Sequence, residues 1–427
     1  HPLVREVVWG ELKPDGENCG YFLRELSEQY SPTATYSARK LEQIAETSAK
    51  AAQLLSMEQI EQAWLLNNSG ALFRQLGDYH RQLEFCQKAL AILEKVLPSD
   101  HPDLATSYNN VGLAWGNLGN WNKALEFLQK ALAIRKKVLP PDHPDLATSY
   151  NHVGLAWGEL GDWNKALEFL QTALAIRKKV LPPDHPDLAI SYDSVGSAWG
   201  ELGDHHKELE WYQKALDIRE KVLPSDHPDL ASSYNNIGAA WGELGDWNKA
   251  LEYLQKALAI LEKVLPSDHP DLASSYNNVG LAWDKLGDWN KALEYLQKAL
   301  AIREKVLSPN QPMLATNYNN VGAAWGKLGD WNKALEYLQK ALAIWEKVLP
   351  PDQPFLANRY NDVGAAWSKL GDWNKALEYL QKALAIWEKV LPPDQPFLAN
   401  RYNDVGAAWS KLGDWNKALE YLQKALA

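Results

Sequence analysis

The sequence predicts an all-α solenoid built from stacked helical hairpins. One stretch of 42 residues recurs along most of the chain, and a repeat of this length indicates a solenoid rather than separate globular domains. Within each copy, apolar residues recur at helical spacing, as in Leu104, Tyr108, Val111 and Trp115. No window shows the strict alternation of a β-strand. We therefore expect one superhelix of about nine hairpins with an N-terminal helical cap.

Recurring residues predict the boundaries of each hairpin. His101 and Pro102 open one copy, and His143 opens the next. The histidine suits the turn, and proline suits a first helical residue because its missing N–H would be unpaired there anyway. Gly119 supplies the left-handed turn that ends the first helix. In most copies an Asp such as Asp162 follows that glycine and caps the second helix.

Small residues recur where the two helices of a hairpin approach each other. Gly112 lies in the middle of the first helix, where Gly costs about 1 kcal/mol relative to Ala. The same register holds Gly in all nine copies, which indicates a packing requirement. Ala124 and Ala131 of the second helix are expected to serve the same contact.

Each copy places an aromatic residue, a large aliphatic residue followed by Gly, another aromatic, then Gly-Asp-aromatic, and finally two alanines. In one copy these residues are Tyr150, Val153, Gly154, Trp157, Gly161, Asp162, Trp163, Ala166 and Ala173. This pattern resembles the tetratricopeptide repeat, and the resemblance implies a right-handed superhelix. The usual repeat has 34 residues, and the 42-residue copies from 57 to 427 look more like those of kinesin light chains and nephrocystin-like bacterial proteins.

Residues 1–56 lie outside the repeat and are expected to form the helical cap. His1, Leu3 and Val4 resemble the phrase that ends the winged-helix module of STAND ATPases of the NB-ARC and NACHT kinds. This resemblance implies that the segment is the tail of such a module, and the alternative is an ordinary amphipathic helix. The chain begins with His rather than Met and stops inside a second helix, so we expect a truncated last repeat and a longer parent protein.

The composition of the chain argues against two classes of partner, nucleic acids and membranes. The 427 residues carry a formal net charge of −10, which disfavours nucleic acid or an anionic membrane as the partner. Cys19 and Cys86 are the only cysteines, and no run is long and apolar enough to span a membrane. We therefore expect a monomeric protein of the cytoplasm that binds no membrane and no nucleic acid.

No arrangement of side chains predicts catalysis, cofactor binding or metal binding. The sequence has no phosphate-binding loop, no metal-ligand spacing and no nucleophile paired with a base, so we expect no enzyme, no cofactor and no metal site. Two residues depart from the repeat pattern in a way that suggests exposure: Trp345 and Trp387 replace residues like Arg135 and are expected to form an apolar contact point. Glu208 replaces a small Ala in the fourth copy, which we interpret as drift, a kink or a partner contact.

The family resemblance implies a concave groove lined by the first helices. One column that faces this groove is Asn67, Asn109, Asn151, Asp193, Asn235, Asn277, Asn319, Asn361 and Asn403. Asn is mildly unfavourable in mid-helix, so a ladder of it indicates a use. Two uses are open: the amides grip an extended peptide backbone, or they bond across neighbouring first helices and hold the pitch of the superhelix.

A second column of the groove changes sign along the chain. It reads Asn117, Glu159, Glu201, Glu243, Lys285, Lys327, Lys369 and Lys411. Arg359 and Arg401, which follow Asn358 and Asn400, add positive charge near the basic end. The column predicts a ligand with a basic and an acidic part, since complementary charge sets orientation and association rate. The alternative is a solvated rim without a ligand.

These observations favour a scaffold that binds a protein or peptide. Our leading hypothesis is the ligand-sensing repeat domain of a larger bacterial signalling or defence protein. The alternatives are a cargo adaptor like a kinesin light chain, a structural or engineered spacer without a ligand, and an accessory arm of a repeat-fused protease.

Overall fold

The computed structural model describes Glu46, residues 59–392 and residues 395–426 of the chain. The described residues form helices joined by short turns, which confirms the predicted all-α class. The predicted N-terminal cap, including His1, Leu3 and Val4, lies outside the described residues apart from Glu46. Its boundary with the repeats therefore stays a prediction.

The described helices pair into successive hairpins, which we number 1 to 9 along the chain. They group into two compact units, each treated separately below. The first unit holds hairpins 1 to 4, whose helices are α1 (Gln59–Gln75), α2 (Tyr79–Val96), α3 (Pro102–Asn117), α4 (Trp121–Val138), α5 (Pro144–Glu159), α6 (Trp163–Val180), α7 (Pro186–Glu201) and α8 (His205–Val222).

The second unit holds hairpins 5 to 9. Within each unit, the second helix of a hairpin packs on the first helix of the next hairpin, so the core runs continuously through the unit. The helices of the second unit are α9 (Pro228–Glu243), α10 (Trp247–Val264), α11 (Pro270–Leu286), α12 (Trp289–Val306), α13 (Pro312–Lys327), α14 (Trp331–Val348), α15 (Pro354–Leu370), α16 (Trp373–Val390), α17 (Pro396–Lys411) and α18 (Trp415–Leu426).

The ends of the helices are set by the residues that the sequence analysis singled out. The backbone N–H of Asp103 donates to Nδ1 of His101 over 3.2 Å, so the histidine caps α3, which begins at Pro102. Gly119 has a φ of 75°, the left-handed conformation expected where the first helix ends. Asp162 accepts a hydrogen bond from the backbone of Lys165 and caps α6. These three predictions are confirmed.

The close approach of the two helices in a hairpin needs glycine. A Cβ atom added to Gly112 would lie 2.7 Å from Cγ of Leu128 and 3.1 Å from the carbonyl oxygen of Ala124. Because Leu128 and Ala124 are buried, neither can move away freely. Ala131 is also fully buried on α4, so the predicted packing role of these small residues is confirmed.

Successive hairpins meet through one buried position near the end of the second helix. Arg135 occupies it in hairpin 2, where its Nη1 donates to Oγ of Ser149 over 2.8 Å and to the carbonyl oxygen of Asp145. Trp345 occupies it in hairpin 7 and is only 8% exposed. Trp387, its counterpart in hairpin 8, is buried to the same degree. The expectation that both tryptophans are exposed is therefore wrong.

The two tryptophans are buried because the next hairpin changes with them. The Trp345 ring meets the ring of Phe355 edge to face, with 4.8 Å between centroids. The guanidinium of Arg359 lies over the Phe355 ring, 4.9 Å from its centroid. Trp387 meets Phe397 in the same way at 4.8 Å. The periodic pattern of a single copy does not contain these partners.

Candidate ligand-binding face

The predicted charged column lies on an exposed side of the first helices. We call the part in the second unit the charged face and define it by one residue per hairpin, with Glu243 on α9 and a lysine on each of the next four first helices. All five side chains are exposed. The four lysines are Lys285, Lys327, Lys369 and Lys411. The first unit carries Asn117, Glu159 and Glu201 at the same position, and these are also exposed.

The lysines of the charged face differ in what they contact. The amino group of Lys285 lies 5.6 Å from the centre of the Trp247 ring, and that of Lys369 lies 5.9 Å from the Trp331 ring. Lys327 instead bonds both carboxylate oxygens of Asp284 at 2.7 Å. Because Asp284 neutralises Lys327, the positive charge of the face is strongest toward Lys369 and on to Lys411 in hairpin 9.

The two predicted arginines are less accessible than the lysines. Arg359 and Arg401 are half-buried, and each forms an ion pair of 3.2 Å with a carboxylate three residues on, Asp362 or Asp404. Burial raises the pKa of both carboxyl groups, and the neighbouring arginines oppose that rise. The arginines therefore contribute less free positive charge than the sequence suggests.

The asparagine column forms hydrogen bonds between adjacent first helices. Nδ2 of Asn278 donates to Oδ1 of Asn235 over 2.9 Å. Nδ2 of Asn320 donates to Oδ1 of Asn277 over 3.0 Å. Farther along, Nη1 of Arg401 donates to Oδ1 of Asn361 over 2.6 Å. Of the two uses that the sequence left open, these contacts favour the one that holds neighbouring hairpins in register.

The same ladder in the first unit contains a histidine. His152 Nδ1 lies 2.8 Å from Oδ1 of Asn109, an acceptor, so this ring nitrogen carries the proton. Burial, followed by the positive charges of Arg135, Arg177 and Arg74, lowers the pKa of His152 to about 4. Asn109 and its counterpart Asn151 are only 7% and 6% exposed, so their amides offer little surface to a ligand.

The family is decided by a comparison with known protein families. Tetratricopeptide-repeat matches together cover 61–427, in eight overlapping segments: residues 61–137, 116–179, 158–221, 201–263, 229–305, 271–347, 313–366 and 360–427. The chain belongs to the tetratricopeptide-repeat family. Proteins of this kind are typically non-catalytic scaffolds. A comparison with curated proteins finds no match.

Solved structures similar to this tetratricopeptide-repeat chain come from several kinds of protein. A STAND protein with a tetratricopeptide repeat sensor from Pyrococcus horikoshii is 15% identical, with a TM-score of 0.61 over 96% of this chain and 71% of that one. A Rap protein complexed with competence and sporulation factor is 18% identical, with a TM-score of 0.50 over 86% and 97% of the two chains. A Podospora anserina protein assigned as a kinesin light chain is 28% identical, with a TM-score of 0.44 over 48% and 97%.

Hairpin 4 departs from the other tetratricopeptide hairpins inside its helix contact. Glu208 fills the notch beside Gly200, where a Cβ atom on that glycine would lie 2.5 Å from the carboxyl carbon. Nδ1 of His205 lies 2.8 Å from Oε2 of Glu208. Tyr212 replaces the usual leucine, and burial raises its pKa. The Glu208 substitution is therefore accommodated by two others in the same hairpin.

Two residues of this tetratricopeptide chain were missed by the sequence analysis. Asp284 stands where most copies have glycine, and Trp289 is 39% exposed although its counterparts in hairpins 5, 7 and 8 are less so. The signal was present, since an acidic residue at a glycine position is visible in an alignment of the copies. Its consequence depends on what the glycine contacts, which the sequence does not state.

The described residues also bear on two other classes of function, metal binding and insertion into a membrane. Within that part of the chain, no cluster of three or more His, Cys, Asp or Glu side chains is placed to hold a metal ion. None of the helices between 59 and 426 combines the length and the apolar character that crossing a membrane requires.

Proposed function

We propose that the second unit binds a protein or peptide along the charged face. We further propose that the chain is the ligand-sensing repeat domain of a larger signalling or defence protein. The observation that carries the binding proposal is the reversal of sign along one exposed column, from Glu243 to Lys285 and the lysines after it. A ligand with a basic and an acidic end fits this column in only one direction.

The asparagine ladder supports the same proposal indirectly. Because Asn235 and Asn277 already accept hydrogen bonds from the next hairpin, their oxygens are used inside the protein. The ladder thus holds the first helices at a regular spacing, and the charged column provides the ligand contacts. Fixed spacing matters because a preorganised surface loses less conformational entropy when it binds.

The comparisons support the broader role. The fold is similar to that of a STAND protein whose repeats are described as a sensor, and to that of a Rap protein that was crystallised with a bound factor. Both are consistent with a repeat array that receives a ligand and belongs to a larger signalling system. At identities of 15% and 18% they bear on the fold, and the sensing role rests on our proposal.

The binding proposal can be tested with peptides selected from a random twelve-residue library displayed on phage. Selected peptides are synthesised, and their affinity is measured by fluorescence anisotropy at several salt concentrations. In the variant K369E/K411E we expect affinity to fall about tenfold or more, because each exposed charge contact contributes up to about 1 kcal/mol. Salt should weaken binding to the wild-type chain.

The matched control is K347E/K389E, which changes the net charge equally on exposed positions near the ends of α14 and α16. Its affinity should stay within about twofold of the wild-type value if only the charged face is involved. Equal affinities for the wild-type chain and both variants would exclude the charged face as the site. A library that yields no enriched peptide would favour a spacer without a ligand.

A further inference from the structure

Hairpin 6 differs from its two neighbouring hairpins at the contact between the end of the first helix and the tryptophan that opens the second helix. In hairpins 5 and 7 the glycines Gly242 and Gly326 lie directly under a tryptophan ring. A Cβ atom added to Gly242 would lie 2.9 Å from Cζ3 of Trp247, and one added to Gly326 would lie 3.0 Å from Cζ3 of Trp331. The ring therefore lies against the helix backbone at these two glycines.

Hairpin 6 has Asp284 at this glycine position. Trp289, the tryptophan that opens the second helix of this hairpin, is 39% exposed, whereas its counterparts Trp247 and Trp331 are half-buried. The Asp284 side chain is only 16% exposed, so its carboxylate loses most of its hydration and requires a partner.

The partner of Asp284 comes from the next hairpin. Lys327 bonds both oxygens of the carboxylate at 2.7 Å, whereas Lys285 and Lys369 at the same position lie over a tryptophan ring. The aspartate therefore holds the amino group of Lys327 in an ion pair with the preceding hairpin.

A second apolar group lies on the same face of α11. Leu281 is 37% exposed and precedes Asp284 and Lys285 by three and four residues, which places all three on one side of the helix. The other hairpins of this unit have alanine at that position. Hairpin 6 therefore exposes apolar surface at two side chains, Leu281 and Trp289.

We propose, as an extension of the binding function proposed above, that hairpin 6 is the anchor subsite of the charged face. It takes one large aliphatic or aromatic side chain of a peptide ligand between Leu281 and Trp289. The charges on either side define the rest of the ligand: a basic residue toward Glu243 in hairpin 5, and acidic residues toward Lys369 and Lys411 in hairpins 8 and 9. The Asp284–Lys327 ion pair keeps the intervening position neutral.

The repeat geometry sets the spacing of this ligand. Packed helices lie about 10 Å apart, which is about three residues of extended peptide. The basic residue should therefore stand about three residues to one side of the apolar anchor, and the first acidic residue about six residues to the other side. A single face cannot place these groups in the opposite order, so the ligand has one orientation.

The test uses the full chain and the peptides selected from the random library. The variant L281A/D284G gives hairpin 6 the residues that hairpin 7 has at Ala323 and Gly326, so it is designed to fold. We expect selected peptides to share an apolar residue at the stated spacing and to lose affinity for this variant about tenfold or more. Leu155→Ala, at the same position of hairpin 3 in the first unit, is the control and should change affinity less than about twofold.

Other outcomes distinguish this inference from the function on which it rests. Peptides that depend on Lys369 and Lys411 but bind L281A/D284G as tightly as wild type would overturn the anchor subsite and leave the charged face in place. Peptides that are insensitive to both sets of changes would overturn both proposals, and so would a library without enriched peptides. If the double variant melts below the wild-type temperature, Leu281→Ser alone replaces it, with the same affinity loss expected.

Discussion

The junctions that follow hairpins 2 and 3 solve the same packing problem differently from those that follow hairpins 7 and 8. In the first unit a buried arginine spans to the next hairpin, and Arg177 Nη1 donates to Oγ of Ser191 over 2.6 Å as Arg135 does to Ser149. After hairpins 7 and 8 a tryptophan fills the space and meets a phenylalanine edge to face. Each solution needs its own partners on the following helix.

Junctions elsewhere in the two units show what happens when the partners do not match. Ser107 and Ser275 stand where Ser149 does, but the preceding hairpins have Leu93 and Leu261 in place of arginine, and neither hydroxyl has a hydrogen-bond partner among the described residues. Asn317 is fully buried with both side-chain polar atoms unpaired in that same part of the chain. Matched pairs across a junction therefore stabilise more than either residue does alone.

The N-caps of the first helices also differ between the earlier and the later hairpins. His143 and its counterparts in hairpins 2 to 6 accept a backbone hydrogen bond, as Nδ1 of His143 does from Asp145 at 3.1 Å. In hairpins 7 to 9 the equivalent residues, such as Gln353, have no side-chain cap among the described residues. In hairpin 8 the helix lacks this side-chain cap. Phe355, which stands where hairpin 3 has Asp145, contacts the Trp345 ring instead.

The largest effect is expected from mixing the two kinds of junction. Trp345→Arg would bury a guanidinium next to Arg359 with no serine to accept its hydrogen bond. Leaving a buried charge unpaired costs about 3–5 kcal/mol, so thermal and urea unfolding should occur much earlier than in the wild type. The measurement is the unfolding midpoint followed by circular dichroism.

The control for this variant is the triple substitution W345R/F355D/R359S. It reproduces the set of Arg135, Asp145 and Ser149 at the junction after hairpin 7. Most of the lost stability should return, because the arginine regains its acceptors. If the triple variant were as unstable as the single one, the two junctions would not be interchangeable solutions.

A smaller effect is expected from a change of pH. It distinguishes the first unit, where the ladder contains His152, from the second unit, where asparagines such as Asn278 stand at that position. The pKa of His152 is about 4 in the folded chain and about 6.5 when unfolded. The unfolded chain therefore binds more protons between these values, and stability is lost as the pH falls through this window. From pH 7 to pH 5 the loss should be about 1–2 kcal/mol.

The matched variant is His152→Asn, which gives the first unit the residue found at Asn278. Its unfolding midpoint in urea should change less between pH 7 and pH 5 than that of the wild type. Identical pH dependence in both proteins would mean that His152 does not titrate in this window.

Two serines at equivalent positions should differ in their effect, and the smallest effect of all is expected from Ser275→Ala. Ser149→Ala removes an acceptor from buried Arg135 and should cost about 1–2 kcal/mol. Ser275→Ala removes an unpaired buried hydroxyl and should leave the stability unchanged or raise it slightly. Equal effects of the two substitutions, measured by urea unfolding, would contradict the idea that matched partners stabilise the junctions.

Part of the candidate site could be predicted from one copy of the repeat. The exposure of Glu243 and Lys369 follows from the helical period, because it leaves their position outside the apolar stripe. The neutralisation of Lys327 could not be predicted in this way, since its partner Asp284 is 43 residues away and belongs to the preceding hairpin. The burial of Trp345 was mispredicted for the same reason.

The amino-acid sequence by itself determined the hairpin: its length, its capping residues such as His101 and Asp162, and the glycine notch at Gly112. These depend on helical periodicity and on backbone conformation, which act within a few residues. Only the tertiary structure decided which tryptophans are buried and which charges remain free. Those properties depend on side chains that meet across junctions between repeats, where each partner lies on a different helix.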